Sequence, residues 1–476
     1  MTFPAHTVEK IGGTSMSKVH ELRDTLLIQG REGADLYGRI FVVSAFGGIT
    51  NLLLEHKKSG QPGVYALFAN DDNAHGWLDA LSDVAAAMRE AHGQVLDHPA
   101  DIHAADEFVR ERIEGARSCL FDLQRLCSYG HFRLADHMMD IRELLSGLGE
   151  SHSAFVTVLM LQRAGVNARA VDLSGWRDEN DLDLQGRIAA GFAQVDLATE
   201  MPIVTGYAQC TEGLMREFDR GYSEVTFARI AAQTGASEAI IHKEFHLSSA
   251  DPNLVGADQV RKLGHTNYDV ADQLSNLGME AIHPQAAKIL RKAGIPLRVA
   301  NAFEPQDPGT LIDDTPATEA AVEIVTGLPV VAFEVFEQDM VGVKGYDQGI
   351  LEVLTRHKVY IVSKCTNANT ITHFLNAPLE TIRRVERDVQ QAFPNARLRI
   401  NRHGLVSVIG RDLDGLCVAE RGLLALREGG VKTHSVQYVP GSVDVQFLVA
   451  PSDQDAAIAG LHGAFVGQEA SALKAA

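Results

Sequence analysis

The sequence predicts an α/β protein: a three-layer αβα sandwich with a mostly parallel sheet, followed by two ferredoxin-like βαββαβ modules. Two observations carry the first part. Over the first two-thirds of the 476 residues, short apolar runs alternate with amphipathic stretches, and the runs are continuous, as in strands covered on both faces. The third lies beyond about Pro329, where the order becomes strand, helix, strand, strand, helix, strand. A chain of this length exceeds one hydrophobic core, so one large domain and two small ones are expected.

The first-domain strands are Thr7 to Ile11, Ile40 to Ser44, Ala168 to Leu173, Pro202 to Thr205, Ala239 to His242 and Leu297 to Asn301. Residues 63–149 have long helical periodicity and read as a helical excursion used for packing and dimerisation. The large domain is expected over 1–315, and a linker with the first small module over 316–404. That module reads as strand Val330 to Phe336, helix Tyr346 to Arg356, strands Val359 to Cys365 and Thr370 to Phe374, helix Leu379 to Phe393 and strand Arg397 to Asn401. The second, over 405–476, reads as strand Leu405 to Gly410, helix Cys417 to Glu428, a hairpin around Pro440-Gly441 and helix Asp453 to Phe465. It lacks a final strand, because 467–476 is small, polar and expected to fray. The segment Ala317 to Thr326, which also reads as a helix, is the expected donor, which would interleave the two modules.

A net charge of -19 and a pI near 5.4 repel phosphate backbones and anionic lipid, so neither nucleic acid nor membrane is an expected partner. The five cysteines contain no C-x-x-C pair and fit a reducing compartment. With no leader-like start and no run of about eighteen apolar residues, the expected location is the cytoplasm. No metal site is predicted: no H-E-x-x-H occurs, and the calcium-loop-like start at Asp181 has Phe192 where a bidentate Glu is required.

The strongest chemical signal is Lys10-Ile11-Gly12-Gly13-Thr14-Ser15, where the first strand gives way to a helix. Backbone N–H groups at such a turn form an anion site, and a neighbouring lysine can neutralise a phosphoryl group in transfer. No Walker A, protein-kinase or G-x-G-x-x-G signature is present.

This block resembles the K-F-G-G-T-S opening of aspartate kinases, differing only at Ile11. Val42 to Asn51 resembles the family's V-V-S-A-x-x-G-x-T-N block, Gly149-Glu150 with Ser151 and Ser153 its G-E-x-x-S block, and Ile282-His283-Pro284 the block that closes its catalytic domain. The resemblance implies the amino-acid kinase fold, with C-terminal ACT modules that pair between subunits and bind an amino-acid effector, hence a homodimer. It implies ATP-dependent phosphorylation of the β-carboxylate of L-aspartate, with Mg²⁺ carried largely by the phosphates and water. Lys10 would bridge the β- and γ-phosphates; Gly12, Gly13, Thr14, Ser15 and Ser44 would bind phosphate, and Thr50 would lie near the acceptor. Glu150 would hold the ammonium of aspartate and Arg187 its α-carboxylate.

On the nucleotide side the resemblance thins. The family's G-R-G-G-S-D loop appears as Asp219-Arg220-Gly221-Tyr222-Ser223-Glu224, with a lengthened carboxylate. A later D-P-R block is reduced to Asp251-Pro252-Asn253 after His242-Lys243-Glu244, and Glu280 stands where the family often has lysine. Gly221, Ser223, Lys243 and Asp251 are carried over as nucleotide contacts. Divergence beside an intact glycine loop points to a specialised branch, the ectoine-pathway aspartate kinases. The competing expectations are an amino-acid kinase with another acceptor and an inactive ACT-type sensor.

Overall fold

The computed structural model describes residues 3–57, 59–70, 76–218, 221–278, 282–316 and 319–467. Asp219, Arg220, Glu280 and residues 468–476 of the 467–476 stretch expected to fray lie outside the described residues. Two compact units form: one takes 1–246, 264–268 and 282–314, the other 247–263, 269–281 and 315–476.

The first unit is built on a sheet of eight strands: β1 (Thr7–Ile11), β2 (Arg39–Val43), β3 (Ala168–Val171), β4 (Met201–Thr205), β5 (Glu238–Lys243), β6 (His265–Asn267), β7 (Leu297–Asn301) and β8 (Thr310–Asp313). Their order is β3-β4-β2-β1-β5-β7-β8-β6, and all pairs are parallel except β7 with β8. Every residue of β2 and β4 is buried, which explains their unbroken apolar runs. The chain leaves β1 for β2 on one side and reaches β5 on the other. The ends of β1, β2 and β5 therefore meet at a switch in strand order, where open α/β sheets bind ligands.

The excursion is helical, as its periodicity predicts: Val64–Ala69, Gly76–Gly93, Pro99–Cys127 and Leu134–Arg163. The last runs past residue 149, packing on β3 and β4. Leu134–Arg163 is long and apolar enough to cross a membrane, but 83% of its apolar window is buried inside the protein. The helix Tyr222–Thr234 packs on β1 and against Pro284–Ala293.

The second unit carries an antiparallel sheet of β9 (Ala321–Phe336), β10 (Tyr360–Thr366), β11 (Thr370–Asn376), β12 (Arg397–Arg411), β13 (Thr433–Gln437) and β14 (Asp444–Val449), ordered β10-β11-β9-β12-β14-β13. This is the architecture of paired ACT modules. The stretches read as strands 397–401 and 405–410 are one strand, β12, paired with β9 from Arg397↔Phe336 to Arg411↔Ala321. Within the segment 317–326, residues 321–326 belong to β9, and Ala317 and Thr318 lie outside the described residues. Helices Tyr346–Arg356 and Leu379–Ala392 cover one core, around Phe333 and Leu375, and helices Val418–Glu428 and Gln454–His462 cover another, around Phe447 and Leu461.

Candidate active site

The site is assembled at the ends of β1 and β2 in the first unit. Lys10 occupies the penultimate position of β1, in register with Val42 of β2 and Ile241 of β5, and is buried. The chain then turns through Gly12 into the short helix Gly13–Met16, closed by Met16 N–H donating to Gly12 O at 2.8 Å. Thr14 is exposed there, while Ser15 is buried and donates to Glu244 at 2.8 Å. After β2 the chain makes a second glycine turn, with Gly48 at φ 87° leading into the helix Ile49–Leu53, which carries Thr50. Ser17 joins the two turns, accepting from Gly47 N–H at 2.8 Å. A cavity of about 430 Å³ opens beside them, lined by Ser17, Gly47, Gly48, Asn51 and Glu90 among others.

Helix Leu134–Arg163 brings Glu150 to the same place. Its Gly149 lies so close to the second turn that a Cβ would come within 2.8 Å of the Ala45 Cβ, so a side chain there would push the helix away. Ser153, one turn on, donates to Ser44 O at 2.7 Å and fixes the end of β2 to the helix. Glu150 itself is 2% exposed. One carboxylate oxygen accepts from Ser223 Oγ at 2.8 Å, and the other has no hydrogen-bond partner among the described residues. Burial pushes its pKa up to about 8, and Ser223, Lys10 and the Tyr207 amide offset this only in part. A buried carboxylate with an empty acceptor is chemically suited to receive a cation.

The drifted loop supplies a residue that sequence reasoning left out of the site, Glu224. It follows Ser223 in the first turn of Tyr222–Thr234, and one oxygen lies 3.8 Å from Lys10 Nζ. Its other oxygen accepts from the backbone N–H of His283, which ties the Ile282-His283-Pro284 block to the lysine. Gly221 is required for that packing, because a Cβ would meet the His283 ring at 2.3 Å. The lengthened carboxylate was visible in sequence; its reach to Lys10 depends on how this helix lies on β1.

The structure thus joins Lys10, both glycine turns, Ser44, Glu150, Ser223 and Glu224 through direct contacts. Arg187 is held differently. It is 4% exposed in helix Leu184–Phe192, with donors on Asp178, on Asn180 O at 3.1 Å, on Gln209 O at 2.9 Å and on the Gln209 side chain. Asp183, from the calcium-like run, caps that helix through Gly186 N–H at 2.7 Å. Lys243 ends β5, half-buried. Asp251 belongs to the second unit, where its side chain caps the helix Pro252–Val255.

A parallel sheet with a glycine turn and a buried lysine at its switch point is the build of a small-molecule phosphotransferase. Comparison with known proteins narrows the class. Residues 6–301 match the model of the amino acid kinase family. The chain is 51% identical over 98% of its length, and 98% of the relative's, to the aspartate kinase Ask_Ect of Stutzerimonas stutzeri. In fold it is similar to Escherichia coli aspartokinase III, solved with lysine and aspartate (TM-score 0.71, 18% identity, 96% of this chain and 99% of that one). The Clostridium acetobutylicum aspartate kinase is comparable (TM-score 0.70, 16% identity, 96% and 100%). The chain belongs to the amino acid kinase family and, within it, to the ATP-dependent aspartate kinases. The match to Ask_Ect supports the ectoine-linked branch.

Proposed function

We propose that this chain catalyses attack of the β-carboxylate of L-aspartate on the γ-phosphorus of ATP, with Lys10 as the cation that meets the migrating group. The products are 4-phospho-L-aspartate and ADP. The observation that carries the assignment is the cluster of buried Lys10, Glu150 and Ser223 with half-buried Glu224 beside two glycine turns. The acceptor carboxylate is ionised at neutral pH, so the reaction requires no general base. Catalysis reduces to alignment and charge neutralisation.

Lys10 Nζ is free to approach phosphate oxygens because its tie to Glu224 is long. The N–H groups around Gly12–Ser15 cradle the phosphates, with Ser44 beside them. Glu150 receives the ammonium of aspartate on its unpartnered oxygen and loses its own proton in doing so. Arg187 takes the α-carboxylate, and Thr50 lies on the acceptor side. Gly221, Ser223 and Lys243 are assigned to the nucleotide side. Mg²⁺, carried by the triphosphate, would supply further charge neutralisation. The enzyme works as a cytoplasmic homodimer, with an amino-acid effector at the ACT modules and its product feeding ectoine synthesis.

Trapping the acyl phosphate with hydroxylamine, with MgATP and a panel of amino acids, tests the reading. Aspartate alone should give signal. Signal with glutamate alone would reassign the acceptor, and silence with every amino acid would favour a sensor. Lys10→Ala should lose turnover by orders of magnitude with its thermal midpoint retained.

A further inference from the structure

Arg187 is a buried guanidinium whose position is set mainly by neutral groups. Gln209 O, the Gln209 side chain and Asn180 O hold Nε and Nη2, which fixes the plane of the fork. Its one ion-pair partner among the described residues is Asp178, on Nη1. Asp178 is unlike its partner: its side chain is 32% exposed, and it sits in the irregular stretch between β3 and the helix Leu184–Phe192. The residue before it, Arg177, is held at φ 57°, a conformation that costs a non-glycine residue free energy.

The same stretch borders a cavity of about 640 Å³ lined by Gly175, Trp176, Arg177, Tyr207 and Gln209 among others. Gln209 touches Arg187, and the Tyr207 amide faces Glu150. The cavity wall therefore connects the two groups assigned to the two charged ends of the acceptor.

We propose that Asp178 is an internal stand-in for the α-carboxylate of the acceptor, holding Arg187 until the incoming amino acid displaces it. This rests on the assignment of Arg187 as the carboxylate clamp. A guanidinium this buried is costly without a counter-ion, so some carboxylate must sit on it when no substrate is bound. Exchange of one carboxylate for another keeps the charge balanced throughout, and displacement lets Arg177 leave its left-handed backbone. The arrangement sets a threshold for the acceptor, because a molecule lacking the carboxylate cannot free the clamp. The apparent affinity for aspartate is lowered by the fraction of clamp that Asp178 occupies.

The test compares Asp178→Asn with Arg187→Ala in the full-length protein. Calorimetric binding of L-aspartate is read together with KM and kcat from the hydroxylamine assay and with the thermal midpoint. Since partly exposed ion pairs are weak, Asp178→Asn should tighten aspartate binding about two- to fivefold, lowering KM while kcat holds. Asp178→Ala, which also removes the contacts to Asn180, should move affinity in the same direction. Arg187→Ala should lose binding. If both Asp178 variants bind aspartate no more tightly than the parent while Arg187→Ala loses binding, the stand-in role is wrong and the clamp survives. If Arg187→Ala binds as the parent does, the clamp assignment fails and this inference with it.

Discussion

Two glutamates of the first unit, Glu9 and Glu150, are equally buried at 2% exposure, yet they are in opposite electrostatic states. Glu9 has its four contacts filled: Arg39 grips both oxygens at 2.7 and 3.0 Å, His242 Nε2 donates at 2.8 Å and Thr7 at 2.9 Å. Burial alone would raise its pKa, but Arg39 and His242 more than offset that and hold it far below the usual carboxylate range. Glu150 has one close hydrogen bond, from Ser223 to one oxygen, with the Tyr207 amide and the Tyr222 hydroxyl nearby, and a pKa raised to about 8. Glu9 and Lys10 are neighbours on β1 and point to opposite faces of the sheet. One face stores a completed ion pair that holds strands together; the other keeps an acceptor open for chemistry.

The sharpest break between them is in stability. Glu9→Gln leaves Arg39 buried without its counter-charge and should cost about 3–5 kcal/mol. Chemical denaturation would measure this, and a loss below about 1 kcal/mol would remove the structural reading of the pair. Glu150→Gln should leave stability intact or improved near pH 8, and instead raise KM for aspartate about tenfold to a hundredfold, the worth of a charge-assisted hydrogen bond. An unchanged KM would reassign the ammonium site.

pH separates the two further. If the ammonium of aspartate must meet an ionised Glu150, KM should fall by up to about tenfold per unit as pH rises toward 8 and level off above it. The Glu150→Gln variant should lose that slope, and a flat parental profile would refute the coupling. The stability effects have opposite signs. Glu150 has a raised pKa, so its contribution is complete below its ordinary value of 4.5 and is lost as pH rises through about 8. Glu9 has a depressed pKa, so its contribution is present above 4.5 and is lost as pH falls toward its folded value. Denaturation midpoints of the parent and the two Gln variants, followed from about pH 2 to about pH 9, would resolve both slopes.

Much of this was legible in sequence because it is local. β1 and β7 fall where their apolar runs lie, and the Lys10 turn is read from adjacent residues. Glu150 was found through its Gly149 neighbour, whose role is the tight approach to Ala45. Elements set by tertiary packing were less visible. Glu224 reaches Lys10 only because its helix rests on β1. β6 and β8 have three and four residues, too short to establish a period. That Asp178 sits on Arg187 depends on an irregular stretch with no pattern to read. The continuity of β12 was hidden by Gly404, which reads as a break and faces Pro329 in the ladder. Proline is tolerated there because β11 reaches only Val331, so no strand among the described residues pairs with β9 at Pro329 on that side.

That ladder has a mechanical consequence. β9 and β12 each run unbroken beneath both helical layers, so the two halves of the antiparallel sheet are carried on one pair of girders without a hinge between them. Twist imposed at one end is felt at the other through backbone hydrogen bonds, and neither half can melt alone without splitting the common beam. Cutting the chain between residues 401 and 405 should therefore collapse the whole sheet and not release a self-sufficient half.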